Sequence, residues 1–394
     1  MAAGAASSGA TFAAGWPRVM VETPSPPVLG KEEHPGDLGA GIAGSRSCLP
    51  CRSSFFPRLA RNPWRLVSLN DRFGRRITDV RISVTDRCNF RCVYCRSADP
   101  ENYRPDDELL SWPELTRVAR ILRGLGIEKV RVTGGEPMVR PGVIDFISNL
   151  HALGFPDLSM TTNGQLLAQS CDALLRAGLN RINISLDSLD PAKFERVTRT
   201  RKFQAVMDGI HAAQASALKP VKVNAVLVRG LNDDEVEAFA ALARSSGVIM
   251  RFIEFMPLDA DRHWSRDLVV PAAEVRSRIH ARWPLVQIPH ALSETARKFR
   301  FADGAPGEIG LVAPVTEPFC GHCSRIRITA DGKLRTCLFS QDDHDLRPML
   351  RNHARDLDIA NFIEQRVEEK KEAGHRINEP DFIPPSRTMV FIGG

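Results

Sequence analysis

Three closely spaced cysteines are the most informative chemical feature of this 394-residue sequence. Cys88, Cys92 and Cys95 follow a short apolar stretch with the spacing CxxxCxxC. Three thiolates on one loop can bind three irons of a four-iron cubane and leave the fourth iron open for chemistry. Structural zinc is the alternative, but it needs four ligands, and no histidine or fourth cysteine completes a local set. The spacing therefore predicts an iron–sulfur cluster with one open iron.

A second set of three cysteines lies far downstream: Cys320, Cys323 and Cys337. Arg325 and Arg327 lie between them and point to the same side if the stretch is extended. Two guanidinium groups at this spacing suit phosphate oxygens. A zinc site completed by His322 or His344 is the alternative for these thiols. Cys171 lies in an apolar helical stretch and is expected in the core.

Alternating strand and helix patterns must position these residues. Strands are predicted at 77–84, 129–133, 158–162, 181–186, 221–228 and 249–255. A capping box at Ser111 and Glu114 opens a helix through Leu125, and further helices are predicted at 143–153, 166–177 and 203–217 and after Asn232. Six such units predict parallel strands with right-handed crossovers. Because the pattern fades near Trp264, short of the roughly 250 residues of a full barrel, we expect a partial (β/α)6 barrel of the TIM type.

The chain is expected to divide into three parts. Residues 1–63 are rich in Ala, Gly, Ser and Pro and are predicted to be a disordered leader. Residues 64–290 form the partial barrel with the first cluster, and residues 291–394 form a cysteine-rich extension with the second. The leader lacks the pattern of a secretory signal, while an organelle transit peptide and an over-long gene start both stay open. Cys48 and Cys51 within it are not expected to have a role.

Composition excludes several classes of protein. The sequence is 43% hydrophobic and 25% charged, which is typical of a globular protein. No apolar run approaches the roughly 20 residues needed to span a bilayer. The net charge of +6 is weak evidence for nucleic acid, and an anionic small molecule accounts for it equally well.

Polar or glycine-rich segments accompany the carboxyl ends of the predicted strands, where parallel α/β folds form their active sites. Besides the first cysteines, they are Gly134-Gly135-Glu136-Pro137, Thr161-Thr162-Asn163-Gly164, Ser185-Leu186-Asp187, Lys222 with Asn224, and Glu254-Phe255-Met256-Pro257.

Taken together, these motifs resemble the GTP 3′,8-cyclase family of molybdenum cofactor biosynthesis, within the radical S-adenosylmethionine (SAM) superfamily. The matching segments are ITDVRISVTDRCNFRCVYC, VRVTGGEP, MTTNG, INISLD, RFIEFMP and CGHCSRIRITADGKLRTCLF. Their order and spacing fit the family from about Leu66 to the final Gly393-Gly394, a tail thought to reach the active site in these enzymes. One departure is Arg96 after the third cysteine, where many relatives have Met.

The resemblance implies two 4Fe–4S clusters, with SAM on the open iron of the first and GTP between them. The residues implied to line the SAM site are Tyr94, Gly135, Ser185 and Met256. Those implied to contact GTP are Arg81, Arg131, Thr162, Lys222, Arg325 and Arg327, with Lys129 as a weaker candidate. Independently of the family, a charge within an apolar strand, as at Arg81 and Arg131, is costly unless it faces a ligand or partner.

The implied reaction starts with hydrogen abstraction from ribose C3′ by a radical derived from SAM. The C3′ radical then attacks C8 of guanine and gives 3′,8-cyclo-7,8-dihydro-GTP. Because the clusters and SAM carry this chemistry, we assign no catalytic side chain. The alternatives are a radical SAM enzyme that modifies a peptide with an auxiliary cluster, and a metal-binding module without catalysis.

The same resemblance implies the partners. A downstream cyclic pyranopterin monophosphate synthase would consume the product, and a flavodoxin or ferredoxin would supply electrons. No nucleic acid or membrane partner is expected, and a homodimer stays open. Thiolate-bound clusters require a reducing compartment, so the cytoplasm is expected first and the mitochondrial matrix second.

Overall fold

The described part of the molecule begins after the predicted leader. The computed structural model of the protein describes residues 68–98, 103–370 and 373–393. The leader at 1–63, with Cys48 and Cys51, and the final Gly394 lie outside the described residues. None of the described helices is long and apolar enough to cross a bilayer.

Twelve strands in these ranges form one sheet. The strands are β1 Asp79–Ser83, β2 Lys129–Thr133, β3 Asp157–Thr162, β4 Arg181–Ser185, β5 Val221–Leu227, β6 Ile249–Glu254, β7 Leu285–Ile288, β8 Arg297–Phe301, β9 Glu308–Val312, β10 Arg325–Ile328, β11 Lys333–Arg335 and β12 His344–Asp345. Their spatial order is β12-β11-β10-β1-β2-β3-β4-β5-β6-β9-β8-β7.

The eight central strands, from β10 through β1–β6 to β9, are all parallel to their neighbours. Six of them are the predicted strands, so the parallel partial barrel is confirmed. The extension does not form a sheet of its own, since β9 pairs with β6 and β10 pairs with β1. The β7–β8 hairpin spans the predicted boundary at residue 290, and the division into domains stays a prediction.

Ten helices of the described ranges cover the sheet. They are α1 Trp112–Gly124, α2 Val143–Ala152, α3 Cys171–Arg176, α4 Pro191–Thr198, α5 Phe203–Ala215, α6 Val236–Ser246, α7 Ala272–Arg282, α8 Arg347–Arg351, α9 Asp356–Glu368 and α10 Met389–Ile392. The predicted capping box is present: the Ser111 hydroxyl accepts from the Glu114 amide, and Glu114 accepts from the Ser111 amide at 2.7 Å.

Two helices differ from the prediction. α3 begins only at Cys171 because residues 165–170 form turns instead of the helix expected from 166. α4 was not predicted, since its eight residues are too few for a clear periodic pattern. Its start nevertheless has a local signal: the Asp190 carboxylate accepts from the amides of Ala192 and Lys193 at 2.8 Å, with Pro191 in the first turn.

Candidate active site

The first cysteine set lies on the loop after β1. The Sγ of Cys88 accepts from the Phe90 amide at 3.4 Å, and the Cys95 amide donates to the Cys92 carbonyl at 2.9 Å. Burial raises the pKa of the Cys88 thiol to about 11 and raises that of Cys92 further above its usual range. A bound cation must therefore favour the thiolates at neutral pH, which iron does.

The second set surrounds the start of β10. Cys320 and Cys323 precede this strand, and Cys337 follows β11, which runs antiparallel to β10. Burial raises the pKa of the Cys323 thiol, but Arg325 and other nearby cations outweigh it, so the net pKa is lowered. In the described ranges, no three His, Cys, Asp or Glu side chains surround one point as the ligands of a single metal ion would. The thiolates of a cubane each bind a different iron, so they need not surround one point.

The two cysteine sets lie at opposite ends of the β1–β10 pair. Since these strands are parallel, with Asp79 opposite Arg325, Cys88 follows the carboxyl end and Cys323 precedes the amino end. Five residues of strand span about 16 Å. Sequence reasoning placed the candidate chemistry at carboxyl ends of strands, and the second set is at the other end. All six thiols line one cavity of about 270 Å³, called here the central cavity.

Arginines occupy the space between the cysteine sets. Arg81 is paired in register with Arg131 on β2 and with Arg327 on β10, so the three side chains share one face of the sheet. Arg325 also lines the central cavity. Lys222 lies outside it, on a basal cavity of about 500 Å³ that is also lined by Arg81, Arg131 and Arg325.

The charge of these side chains is poorly compensated. Burial, together with neighbouring arginines, lowers the pKa of Arg81 well below its usual value and that of Arg131 to about 10. The same causes lower the pKa of Lys222 to about 8. Cations buried beside other cations are costly. The arrangement therefore favours a ligand with several negative charges.

Basic side chains outnumber carboxylates in the lining of the basal cavity by eight to four. Asp157 binds the guanidinium of Arg181. The ammonium of Lys129 lies 3.9 Å from Asp79, and its side chain is 45% exposed. Lys129 therefore lines the rim of the basal cavity, which fits its weaker assignment.

The residues implied to contact SAM all reach the central cavity: Tyr94, Gly135, Ser185 and Met256. Gly135 is held close to the first cysteine loop, since its amide donates to the Thr85 carbonyl at 2.7 Å. A Cβ at this position would lie 2.3 Å from the Arg87 carbonyl oxygen. Only glycine fits there. The Tyr94 hydroxyl donates to the buried carboxylate of Asp187 at 2.7 Å, which fixes the cysteine loop against β4.

Thr162 lines the central cavity, but its hydroxyl is already engaged. It donates to the Glu136 carboxylate at 2.8 Å, and the Asn163 amide donates to the same group at 2.6 Å. Burial raises the pKa of Glu136 to about 7. Thr162 and Glu136 thus connect the GGEP and TTNG segments.

Sequence reasoning missed two residues of the site, Arg251 and His375. Arg251 is 8% exposed on β6, donates to the Thr295 hydroxyl at 2.7 Å and lines both cavities. Its pKa is lowered to about 9 by burial and by Arg131. The argument applied to Arg81, a charge inside an apolar strand, also applies to this residue. His375 lines the central cavity, whereas His322 and His344 do not.

The C-terminal segment reaches the carboxyl end of the barrel. Gly393 has φ +81°, and a Cβ there would lie 2.9 Å from the side chains of Ser83 and Thr133, the last residues of β1 and β2. Val390 is buried and lines the central cavity. We call residues 387–393 the tail. Its first residue, Arg387, forms two bonds of 3.0 and 2.9 Å to Asp331.

Comparison with known proteins agrees with this geometry. The model of the radical SAM superfamily matches residues 82–243, and that of Molybdenum Cofactor Synthesis C matches residues 248–376. The GTP 3′,8-cyclase of Streptomyces coelicolor is 43% identical over 329 residues, which cover 83% of this chain and 96% of that protein. The GTP 3′,8-cyclase of Mycolicibacterium smegmatis is 45% identical over 334 residues, or 83% and 92%.

The chain belongs to the GTP 3′,8-cyclase family. This confirms the family predicted from the sequence motifs. Mouse molybdenum cofactor biosynthesis protein 1 is 43% identical over 305 residues, covering 77% of this chain and 48% of that protein. Streptococcus suis SuiB bound to S-adenosylmethionine shares the fold, with a TM-score of 0.50, 12% identity and coverage of 75% and 68%.

Membership of the GTP 3′,8-cyclase family and of the radical SAM superfamily brings an iron–sulfur cluster and SAM with it. The departure at Arg96 has a clear place beside the first cysteine loop. Its side chain is buried, lies over the Tyr103 ring at 4.8 Å and donates to the Cys88 carbonyl at 3.3 Å. Arg96 thus stabilises the backbone of the loop at Cys88.

Proposed function

We propose that this protein converts GTP to 3′,8-cyclo-7,8-dihydro-GTP, using SAM and two 4Fe–4S clusters. The observation that carries the proposal is the set of buried and half-buried arginines on adjoining strands between the two cysteine sets. A triphosphate with about four negative charges would offset their mutual repulsion. A cavity meant for a neutral substrate has no use for so many buried cations.

The cofactor sites follow from the two cysteine sets. Cys88, Cys92 and Cys95 would hold the cluster that binds SAM, beside Tyr94, Gly135, Ser185 and Met256. The second set, Cys320, Cys323 and Cys337, would hold a second cluster near the purine. Bound together, the first cluster and SAM supply the radical that removes hydrogen from ribose C3′.

The side chains of this protein bind and orient the nucleotide. Arg325 and Arg327 sit on alternate positions of β10, beside the second cysteines, and would grip the phosphates together with Arg81, Arg131 and Lys222. The nucleotide would then span the two cysteine sets, so that C3′ faces the radical. Thr162, engaged with Glu136, would orient the nucleotide and take no part in the chemistry. The tail would exclude water and oxygen from the carboxyl end.

The double change Arg325→Ala/Arg327→Ala tests the substrate. Loss of two charge-assisted contacts, each worth about 1.5–3 kcal/mol, should weaken GTP binding at least about 100-fold. Anaerobic equilibrium dialysis with labelled GTP measures the affinity, and formation of 5′-deoxyadenosine reports the radical half. The pair Arg276→Ala/Arg300→Ala, on exposed positions of α7 and β8, is the control. Unchanged GTP affinity in the first variant would sink the assignment and favour the peptide-modifying alternative.

Cys337→Ser tests the number of clusters. Reconstituted iron should fall from about eight to about four per chain, while cleavage of SAM on the first cluster continues. Cys171→Ala is the control, because this buried thiol lines neither cavity. About four irons per chain in both the wild type and the Cys337 variant would mean that the second set holds no cluster.

Further proposals concern the surroundings of the enzyme. The product would pass to a cyclic pyranopterin monophosphate synthase, and a flavodoxin or ferredoxin would supply electrons. We place the protein in a reducing compartment, the cytoplasm first and the mitochondrial matrix second, since oxidation would pair the cluster thiols. Fractionation of cells that produce the full chain tests the compartment, and sedimentation tests for a homodimer.

A further inference from the structure

A buried arginine contacts the backbone of the second cysteine set. Arg75 precedes β1 in the chain and is 7% exposed. Its Nη1 donates to the Cys320 carbonyl at 2.7 Å and also to the Ala373 carbonyl. These acceptors lie 245 and 298 residues away along the chain. One guanidinium group thus joins three distant segments at the backbone of the first cysteine of the second set.

A buried carboxylate fixes the orientation of this guanidinium. The Arg75 Nε donates to Asp71 Oδ2 at 2.7 Å, and its Nη2 lies 2.7 Å from the same oxygen. The side chain of Asp71 is 1% exposed. Its other oxygen accepts from the amides of Phe73 and Arg75 at 3.0 and 3.1 Å. The turn over residues 71–75 therefore holds Arg75 in one orientation and compensates its buried charge.

The Cys320 carbonyl is also the acceptor that closes the turn between two thiols. The Cys323 amide donates to it at 3.1 Å. A carbonyl oxygen can accept two hydrogen bonds, and Arg75 supplies the second. Hydrogen bonds to the residues that bind a metal hold those residues in the orientation that the metal needs. Arg75 therefore acts on the turn that sets the separation of Cys320 and Cys323.

The segment that follows Ala373 closes over the same thiol. A Cβ on Gly374 would lie 2.6 Å from the Cβ of Cys320 and 3.1 Å from its Sγ. Burial raises the pKa of the Cys320 thiol, and a hydrogen bond from the His375 backbone opposes this rise. Because Arg75 holds the Ala373 carbonyl, it also keeps Gly374 and His375 against the thiol.

The first cysteine set has a matching contact. Arg96 is 1% exposed and donates to the Cys88 carbonyl at 3.3 Å. Each set thus has a buried guanidinium group on the carbonyl of its first cysteine. An arginine needed only for folding has no reason to recur at this atom in two unrelated loops. A nearby cation does favour the thiolate, which is the form that binds iron.

We propose that Arg75, oriented by Asp71, is a positioning residue of the second iron–sulfur cluster. It holds the Cys320–Cys323 turn and residues 373–375 in the arrangement that binds the cluster. Arg75 lines neither the central nor the basal cavity, so it acts through the backbone of the cysteine set and not on the nucleotide. This inference rests on the proposed function, which places a cluster on the second cysteine set.

Retention of iron by Arg75→Ala tests the proposal. The full-length wild type and variants are reconstituted anaerobically and exposed to an iron chelator, and the released iron is followed by absorbance. The Cys337→Ser variant identifies the phase that belongs to the first cluster. Arg75→Ala should release the other phase about tenfold faster or more and the first-cluster phase at the wild-type rate. Arg76→Ala is the control, because this neighbouring side chain is 57% exposed and pairs with the exposed Glu128.

Electron paramagnetic resonance gives a readout that a general loss of stability would not move. In Arg75→Ala the signal of the reduced second cluster should change its g values, because the Cys320 sulfur is no longer held in place. The signal of the first cluster with SAM should match the wild type. Arg75→Lys keeps the charge but loses the planar fork, so its iron release should lie between those of the wild type and Arg75→Ala.

The outcomes separate this inference from the proposed function. About eight irons per chain, with equal release rates and unchanged signals in the wild type and Arg75→Ala, would overturn the role of Arg75 and leave the two clusters in place. About four irons in the wild type would overturn the second cluster itself, and this inference with it. If Arg75→Ala loses both clusters, Arg75→Lys replaces it in the same comparison and is judged by the same two readouts.

Discussion

Replacing Arg387 by alanine should release the tail from the barrel. The Arg387 guanidinium binds Asp331 through two bonds of 3.0 and 2.9 Å and also contacts Asp343. The side chain of Asp331 is 4% exposed and that of Arg387 is 15% exposed. The pair is therefore shielded from solvent, and it ties the tail to the turn between β10 and β11.

The size of the effect follows from this burial. Removing one partner of a buried ion pair costs about 3–5 kcal/mol, because a buried charge stays behind. Arg335 and Arg104 remain near the two carboxylates, so we expect the lower end, about 3 kcal/mol. That free energy corresponds to an opening equilibrium of the tail about 100-fold more favourable.

Hydrogen exchange measures that opening directly. The amides of Phe391, Ile392 and Gly393 donate within the tail at 3.1–3.3 Å, and their exchange should be about 100-fold faster in Arg387→Ala. Arg387→Lys keeps the charge but loses the bidentate geometry. Its exchange rates should lie between those of the wild type and those of Arg387→Ala. Arg120→Ala is the control, because the side chain of Arg120, which pairs with Asp356, is 57% exposed. Unchanged exchange in Arg387→Ala would mean that apolar packing alone holds the tail, and the reasoning would be refuted.

Three further predictions concern the site and its support. Burial and neighbouring arginines lower the pKa of Lys222 to about 8, so its ammonium deprotonates as pH rises through that value. In a binding titration, the GTP affinity of the wild type should fall over this pH range. The Lys222→Arg variant should keep its affinity up to about pH 9. Gly393→Ala should expose the tail to proteolysis, since the new Cβ would lie 2.9 Å from Ser83. Glu254→Gln should lower the free energy of unfolding in a denaturant titration by roughly 1–3 kcal/mol, because the carboxylate accepts from the Val315 and Thr316 amides at 2.9 Å.

The site could be predicted where the residue type alone restricts the chemistry. Cysteine triads, a Gly pair and arginines inside apolar strands each have few other uses, so Cys88, Gly135 and Arg81 could be proposed as site residues without a structure. Arg251 satisfies the same criterion as Arg81 and was overlooked. Asp187 was quoted in its motif, but no role was assigned to it. Its role is visible only in the structure, where its carboxylate accepts a hydrogen bond from the Tyr94 hydroxyl. Contacts between distant segments leave no periodic signal in the sequence.

The fold could be predicted as far as each strand was followed by its own helix. The six strands β1–β6 have this pattern, and their boundaries were correct to within two residues at either end. The flanking strands β9 and β10 do not, because the segment between them forms irregular structure and a short turn. Parallel pairing of distant strands depends on tertiary packing, which local periodicity does not encode. The two strands that the C-terminal extension supplies to the barrel were therefore not predicted.

That shared sheet would hold the two proposed clusters and one nucleotide in register. The ladder between β1 and β10 pairs Arg81 with Arg327 and Asp79 with Arg325. A slip of one residue would turn both β10 arginines to the opposite face and would shift Cys323 along the strand direction. The hydrogen bonds of one strand pair therefore fix the spacing of the two cysteine sets and the orientation of the arginines between them. A hinged domain carrying the second set could bind the same ligands, but it would not fix the orientation of the nucleotide that hydrogen abstraction at C3′ requires.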